Sequence, residues 1–361
     1  MDFNHLHLYV DDVARWRGRL LGQWGAQAQE DGSNGAHQAI VWLGQVPVLI
    51  SAPQEPEDAV ATYLRQHPPG LGDLAFWVPD LDRALTPLLA HGSHPLTPIT
   101  QARGGRWCQV QGWGNLRHTL VESAQPMTWV PGVEPRQEKG DQGVGQGHKP
   151  LMSHIDHGVI NVPTGQMAAA VEWYGQRFGF RPQQQFTIHT PWSGLRSQVL
   201  AHPQGRIKLP INEPTTPNSQ IQEFLDWNRG PGVQHVALHT HDIVYTVQRL
   251  RELGVAFLDV PESYYQALTQ RSGYGTVQPP LEDWMRLKIL VDWDSQTPQA
   301  KLLQTFTQPI FSMPTLFFEI IQRQTVWVED RPLLAQGFGE RNFQALFEAM
   351  EQEQRKRGGL A

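Results

Sequence analysis

His235-Val236-Ala237-Leu238-His239-Thr240 is a short β-type run, and His241-Asp242 breaks it. Ile243 to Leu253 then places Ile243, Val247 and Leu250, flanked by Val244 and Leu253, on one apolar stripe at helical spacing, and Gly254 closes the segment. Three other segments repeat this plan. They start at His5-Leu6-His7-Leu8-Tyr9-Val10, at Leu74-Ala75-Phe76-Trp77-Val78 and at His157-Gly158-Val159-Ile160-Asn161-Val162. Their helices are expected to run to about Gly22, over Leu81–Ala90 to Gly92, and over Met167–Phe178 to Gly179. The Asp or Thr before each helix (Asp12, Asp80, Thr164, Asp242) is a candidate N-cap, and each glycine a candidate C-cap.

Further strand-like runs follow each helix: Gln38–Leu43, Val46–Ser51, Arg106–Val110, His118–Glu122, Leu195–Ala201, Ile207–Ile211, Leu287–Val291 and Thr315–Ile321. Four βαβββ units are therefore expected, two on each side of a polar break. The fold class is α+β, with paired units curling into two open barrels. The break, Glu134 to Lys149, reads EPRQEKGDQGVGQGHK and has nothing to bury. Its Gly143-x-Gly145-x-Gly147 pattern lacks the strand before it and the Ser or Thr after its lysine that a phosphate loop requires. The expected organisation is a domain over 1–124, a linker over 125–151 and a domain over 152–361.

Composition narrows the function. The chain has 361 residues, with 29 Lys and Arg against 35 Asp and Glu, a net charge of −6. A weakly acidic chain without a basic block is not built for nucleic acid. A single cysteine, Cys108, forms neither an internal disulfide nor a thiolate zinc site. No apolar run reaches the length of a membrane span, and Met1-Asp2-Phe3-Asn4-His5 does not read as a signal peptide. A soluble cytoplasmic protein is expected, without membrane or nucleic-acid partners. The 15 histidines direct attention to a metal that does not need thiolates.

Two imidazoles and one carboxylate on facing strands form the facial triad of non-haem Fe(II) oxygenases. His157 and His235 stand at equivalent places in the third and fourth units. Glu319 lies in Leu316-Phe317-Phe318-Glu319-Ile320-Ile321, where an unpaired carboxylate would be costly. The alternatives are a Glu319–Arg323 ion pair and His239 in place of His235. His154 is expected on the strand face opposite His157. In the first half, the positions matching His157, His235 and Glu319 are read as His5, Leu74 and Glu122, an incomplete set. That half is therefore expected to pack and oligomerise without binding metal.

The repeated unit resembles the vicinal-oxygen-chelate superfamily. The second half resembles the 4-hydroxyphenylpyruvate dioxygenases in ordered blocks over about residues 152–357. These are Ser153–His157, Leu209–Pro214, Ser219–Gln222, Gly232–Leu238, Leu302–Thr307, Phe317–Arg323 and Gly337–Phe343. The resemblance implies one Fe(II) per chain, held by His157, His235 and Glu319. It implies that 4-hydroxyphenylpyruvate and O₂ are converted to homogentisate and CO₂ by oxidative decarboxylation, ring hydroxylation and side-chain migration. Ser197, Asn212, Gln220 and Gln304 match polar active-site residues, and Gln234 matches a residue that orients a ligand. Phe306, Phe317, Phe338 and Phe343 match aromatic walls, and Asn342 matches the segment that closes the site. That segment, about 342–357, carries Phe343, Leu346, Phe347 and Met350 at i, i+3, i+4, i+7, the stripe of a gating helix. The family pattern has a small residue where this chain has Arg341. A homo-oligomer, dimer or tetramer, is expected. The rival readings are hydroxymandelate synthase, which shares the oxo acid but tends to have an aliphatic residue at the Phe338 position, an extradiol dioxygenase, and a metal-free binding module.

Overall fold

The structure is a computed structural model that describes residues 1–29, 35–133, 150–277, 280–295, 297–328 and 331–358. The polar break from Glu134 to Lys149, with its Gly143-x-Gly145-x-Gly147 pattern, lies outside the described residues. Eight strands form the first sheet: β1 (Asp2–Tyr9), β2 (Gln27–Ala28), β3 (Gln38–Leu43), β4 (Val46–Ser51), β5 (Gly70–Trp77), β6 (Thr100–Ala102), β7 (Gly105–Gln111) and β8 (Arg117–Glu122). The second contains β9 (His154–Asn161), β10 (Arg181–His189), β11 (Gly194–Ala201), β12 (Lys208–Pro214), β13 (Gly232–His239), β14 (Leu290–Trp293), β15 (Lys301–Phe306) and β16 (Phe317–Arg323). A small hairpin, β17 (Thr325–Val328) and β18 (Arg331–Leu334), follows.

The helices are α1 (Val13–Trp24), α2 (Ala59–Gln66), α3 (Leu81–Ala90), α4 (Met167–Phe178), α5 (Gln220–Asn228), α6 (Ile243–Glu252), α7 (Glu262–Leu268), α8 (Tyr274–Val277), α9 (Leu281–Leu287) and α10 (Glu340–Lys356). The sheet orders β2-β3-β4-β1-β5-β8-β7-β6 and β10-β11-β12-β9-β13-β16-β15-β14 are superposable, so the expected α+β architecture of tandem βαβββ units holds. In each sheet the two units join at one antiparallel pair, β1 with β5 and β9 with β13.

Local chemistry sets most helix starts. Asp12, Asp80 and Asp242 each accept from the backbone N–H three residues on, at 2.9, 2.9 and 3.0 Å. Thr164 does not cap α4. Glu213 of β12 reaches the N–H groups of Gly165 and Met167 at 2.8 and 3.0 Å instead, so a tertiary contact replaces the local one. The first helix continues through Gly22 and stops at Gly25, which adopts the left-handed conformation a C-cap needs. The strand expected over Leu287–Val291 starts only at Leu290, because α9 occupies Leu281–Leu287.

One apolar core runs across both sheets. Trp16 and Trp24 of α1 meet Phe311 and Phe318 of the second half, with ring centroids 4.3 and 4.9 Å apart. Tyr174 of α4 meets His118 of β8 through a 3.0 Å hydrogen bond. Each sheet therefore packs against a helix from the other half. Truncating one of these buried tryptophans to alanine is expected to cost about 3–5 kcal/mol.

The register corrects three expectations. On β9 the residue opposite Ala237 is His157 and the residue opposite Leu238 is Ile155, so Asp156 is an extra, bulged residue. The bulge returns His154 to the face of His157, where it pairs with His239 rather than pointing away. A second bulge at Gln234 sets His235 opposite Val159. The first sheet has the matching irregularities, and there Asp73 sits opposite His7, with Gly72 skipped. The counterpart of His235 is therefore Asp73, not Leu74. Glu122 bonds the first N–H of α3, as Gln322 bonds that of α6. This aligns Glu122 with Gln322 and makes Thr119 the counterpart of Glu319.

Candidate metal centre

His157 on β9, His235 on β13 and Glu319 on β16 project from three adjacent strands. Parallel pairing sets Ala237 beside Glu319, and antiparallel pairing sets Ala237 opposite His157. The small alanine between them leaves room for the larger side chains to converge. The Nε2 atoms of His157 and His235 lie 3.2 and 3.7 Å from Oε2 of Glu319. Among the described residues this is the one group of three whose ligand atoms all lie within 4.8 Å of one another, and all three residues are buried. Ligands about 2.0–2.2 Å from a common ion have donor atoms about 3 Å apart, so the arrangement fits a divalent cation.

Electrostatics favour the same reading. Burial, with the neighbouring His157 ring, holds His235 well below the usual histidine range, so it is a neutral imidazole with a lone pair to offer. Burial also disfavours a charged His157, but the carboxylates of Glu319 and Asp156 outweigh it and raise that ring's pKa. The expected alternative, Glu319 paired with Arg323, is not what forms. Arg323 donates to both carboxylate oxygens of Asp156, at 2.7 and 2.8 Å, and Asp156 accepts from Nδ1 of His157 at 2.9 Å. Burial works against the Asp156 carboxylate, yet Arg323 and His157 keep it well below the usual carboxylate range. Nor does His239 substitute for His235. Its ring stacks on His154 at 4.4 Å, and its Nδ1 bonds Ser153 Oγ at 2.8 Å.

The other expected site residues divide. Gln304 of β15 donates to Glu319 Oε1 at 2.8 Å and accepts from Asn342 of α10 at 2.7 Å. Asn342 in turn accepts from Tyr264 at 2.8 Å. Gln234 does not reach a ligand; its amide donates to Gln220 at 2.7 Å. Phe317 stacks on His235 at 4.7 Å, Phe306 stands edge-on to His235 at 6.4 Å, and Phe338 meets the His157 ring edge-on at 5.1 Å. Phe343 meets Phe186 edge-on at 5.1 Å and packs both against the main core and against a satellite cluster that includes Phe347 of α10 and Phe224 of α5. Ser197 and Asn212 are cross-strand neighbours, and Asn212 is paired with Asn161 of β9.

The hydroxyl of Ser197 and both amide atoms of Asn212 and of Asn161 are buried with no hydrogen-bond partner among the described residues. A buried row of unsatisfied polar groups, reaching β9 at Asn161, is what a polar ligand would complete. Asn161 was not singled out from the sequence, although two-residue periodicity from His157 places it on the same strand face. Asp156 and Tyr264 were also missed, since each acts through a partner more than 70 positions away.

The closing segment forms α10 as expected and lies over this face. Besides Asn342, it is fastened by Glu351 accepting from Thr190 and Ser193, by Gln354 on the carbonyl of Asn218, and by Arg357 on Glu223. Arg341, the departure from the family pattern, is exposed and lies 3.5 Å from Asp292, so it does not disturb the buried Asn342.

A sequence profile for the Glyoxalase/Bleomycin resistance protein/Dioxygenase superfamily matches residues 154–271. The chain is 37% identical over 359 residues to an uncharacterized protein of Synechocystis sp., covering 97% of each. It is 36% identical over 383 residues to the 4-hydroxyphenylpyruvate dioxygenase of Caenorhabditis briggsae, covering 99% of this chain and 93% of the relative. A solved structure of a mutant 4-hydroxymandelate synthase from Streptomyces coelicolor superposes with a TM-score of 0.79 at 28% identity, covering 98% of each chain. No helix among the described residues is long and apolar enough to cross a membrane. With that identity extending through both halves, beyond the strands that carry the His–His–Glu cluster, this chain belongs to the 4-hydroxyphenylpyruvate dioxygenase family of vicinal-oxygen-chelate enzymes.

Proposed function

We propose that the chain is an Fe(II)-dependent dioxygenase that converts 4-hydroxyphenylpyruvate and O₂ to homogentisate and CO₂, with one iron held by His157, His235 and Glu319. The observation that carries the reading is the convergence of these three buried groups, at 3.2 and 3.7 Å, beside the unsatisfied row of Ser197, Asn212 and Asn161. Two imidazoles and one carboxylate suit Fe(II) and leave positions open. When bound, the ion supplies those open positions to an oxo acid and O₂ and polarises the keto group.

The chain's own residues do the rest. Ser197, Asn212 and Gln220 offer hydrogen bonds that orient the polar ends of the substrate. Phe306, Phe317 and Phe338 exclude water and present an aryl-shaped wall. Gln304 holds Glu319 in one rotamer, and Asn342 holds Gln304, so docking of α10 and ordering of the carboxylate occur together. Gln234 acts on Gln220 rather than on a ligand.

The second reading is 4-hydroxymandelate synthase, favoured by the structural likeness to that enzyme. It would use the same cluster but hydroxylate the benzylic carbon. Phe338 against His157 supports ring hydroxylation, because an aromatic wall fixes the ring of the substrate. Incubation of the Fe(II)-loaded protein with 4-hydroxyphenylpyruvate under O₂, with chromatography of the products, tests both. Homogentisate with equimolar O₂ uptake supports the first reading; 4-hydroxymandelate replaces it with the second; no O₂ uptake overturns both.

A further inference from the structure

The duplicated fold carries an internal control for the metal site. In the first sheet Asn4 lies at the irregularity matching the Asp156 bulge, and its side-chain oxygen is 2.9 Å from Nδ1 of His5. In the second sheet Asp156 makes the same contact with His157 at the same distance. An amide therefore suffices to hold a histidine at this position of the fold. The second half replaces it with a buried carboxylate and adds a buried guanidinium to match, although a charged pair in an interior is costly to desolvate. The position matching Arg323 in the first half is Ser123, which bears no charge.

Arg323 is itself fully committed. Its Nε and one terminal nitrogen hold Asp156 at 2.7 and 2.8 Å, and the other terminal nitrogen donates to the carbonyls of Ala335 and Gly337 at 3.2 and 2.8 Å. Those carbonyls belong to the segment that leads to Phe338 and α10. Asp156 so held is an acceptor only, which keeps a proton on Nδ1 of His157 and leaves Nε2 as the ring atom that faces Glu319.

We propose that Asp156 and Arg323 are a positioning pair for the metal site. Their task is to fix the tautomer and ring angle of His157 and to strengthen it as a ligand, while tying the segment before α10 to the same guanidinium. The inference rests on the reading of His157, His235 and Glu319 as a metal site. Removing such an outer partner typically weakens metal binding 10- to 100-fold.

The test is titration of the metal-stripped full-length protein with Co(II), read by its visible absorption, alongside thermal melting with and without Co(II). The variants are Asp156→Asn, which the first sheet shows this bulge accommodates, and Asp156→Ala/Arg323→Met, which strands no buried charge. Expected are about 10-fold weaker Co(II) binding in Asp156→Asn and up to about 100-fold in the double variant. The metal-free Tm of Asp156→Asn should fall, because Arg323 keeps its buried charge without a carboxylate, while that of the double variant stays nearer wild type; in both, the rise on adding Co(II) shrinks. Co(II) affinity within twofold of wild type in both variants would overturn the proposal. If instead wild type binds no Co(II), or His235→Ala binds it equally well, the metal-site reading itself fails and the pair has nothing to position.

Discussion

Gln304 donates to Glu319 at 2.8 Å from a neighbouring strand, and its own carbonyl oxygen accepts from Asn342 on the last helix. The carboxylate of the candidate metal site is thus ordered by a residue that α10 must dock to complete. Removing either end leaves a buried amide unpaired, at a cost of about 1–3 kcal/mol. Gln304→Leu and Asn342→Leu are expected to lower kcat about tenfold or more while keeping one metal per chain, as read by metal analysis and steady-state O₂ uptake. Wild-type kcat in Asn342→Leu would break the link between helix docking and the site.

Metal content should separate the two halves. Wild type is expected to hold one iron per chain, and His157→Ala, His235→Ala and Glu319→Ala to lose both iron and turnover with far-UV circular dichroism unchanged. His5→Ala should keep the iron, because the counterparts of His235 and Glu319 are Asp73 and Thr119. Those two are bonded to each other rather than open to an ion. A reproducible second iron that disappears in His5→Ala would contradict this.

Product outcome should depend on Phe338. Its edge contact with His157 closes one side of the site, and an aromatic contact contributes on the order of 0.5–1.5 kcal/mol beyond burial. About 1.4 kcal/mol is already tenfold in partitioning. Phe338→Ile is expected to divert part of the flux from homogentisate to other hydroxylated arylacetates, mandelate among them, with iron content and decarboxylation retained. Homogentisate alone at an unchanged rate would make Phe338 a packing residue.

Acid sensitivity should trace in part to His118. Burial holds its pKa down at about 4, despite the bond to the carbonyl of Leu74. An unfolded chain would bind a proton there near 6.5, so the unfolded state takes up more protons as pH falls from about 6.5 to 4. Stability is therefore lost over that window. Between pH 7 and pH 5 this one group should account for about 2 kcal/mol. His118→Gln should lose less stability over that interval in urea melts, even if it is less stable at pH 7 for want of the Tyr174 bond. An unchanged slope would show that other histidines dominate.

Periodicity and repetition in the sequence determined the four units, the strand membership of His157, His235 and Glu319, and the apolar stripe of α10. These depend on residue order alone, since a strand or an amphipathic helix declares itself through spacing within one segment. Two β-bulges were not legible, because a bulge is set by the partner strand. They decided that His154 faces the site side, that Asp73 and not Leu74 matches His235, and that Asp156 reaches His157. Glu319 in an apolar strand was legible as a group needing a partner; which partner was not. Only the folded sheet shows Arg323 taken by Asp156 and Gln304 taking Glu319, with Gln234 turned to Gln220 and Phe343 to Phe186. Hydrogen bonds between residues separated by tens to hundreds of positions depend on strand order and register, and the tertiary structure alone supplies both.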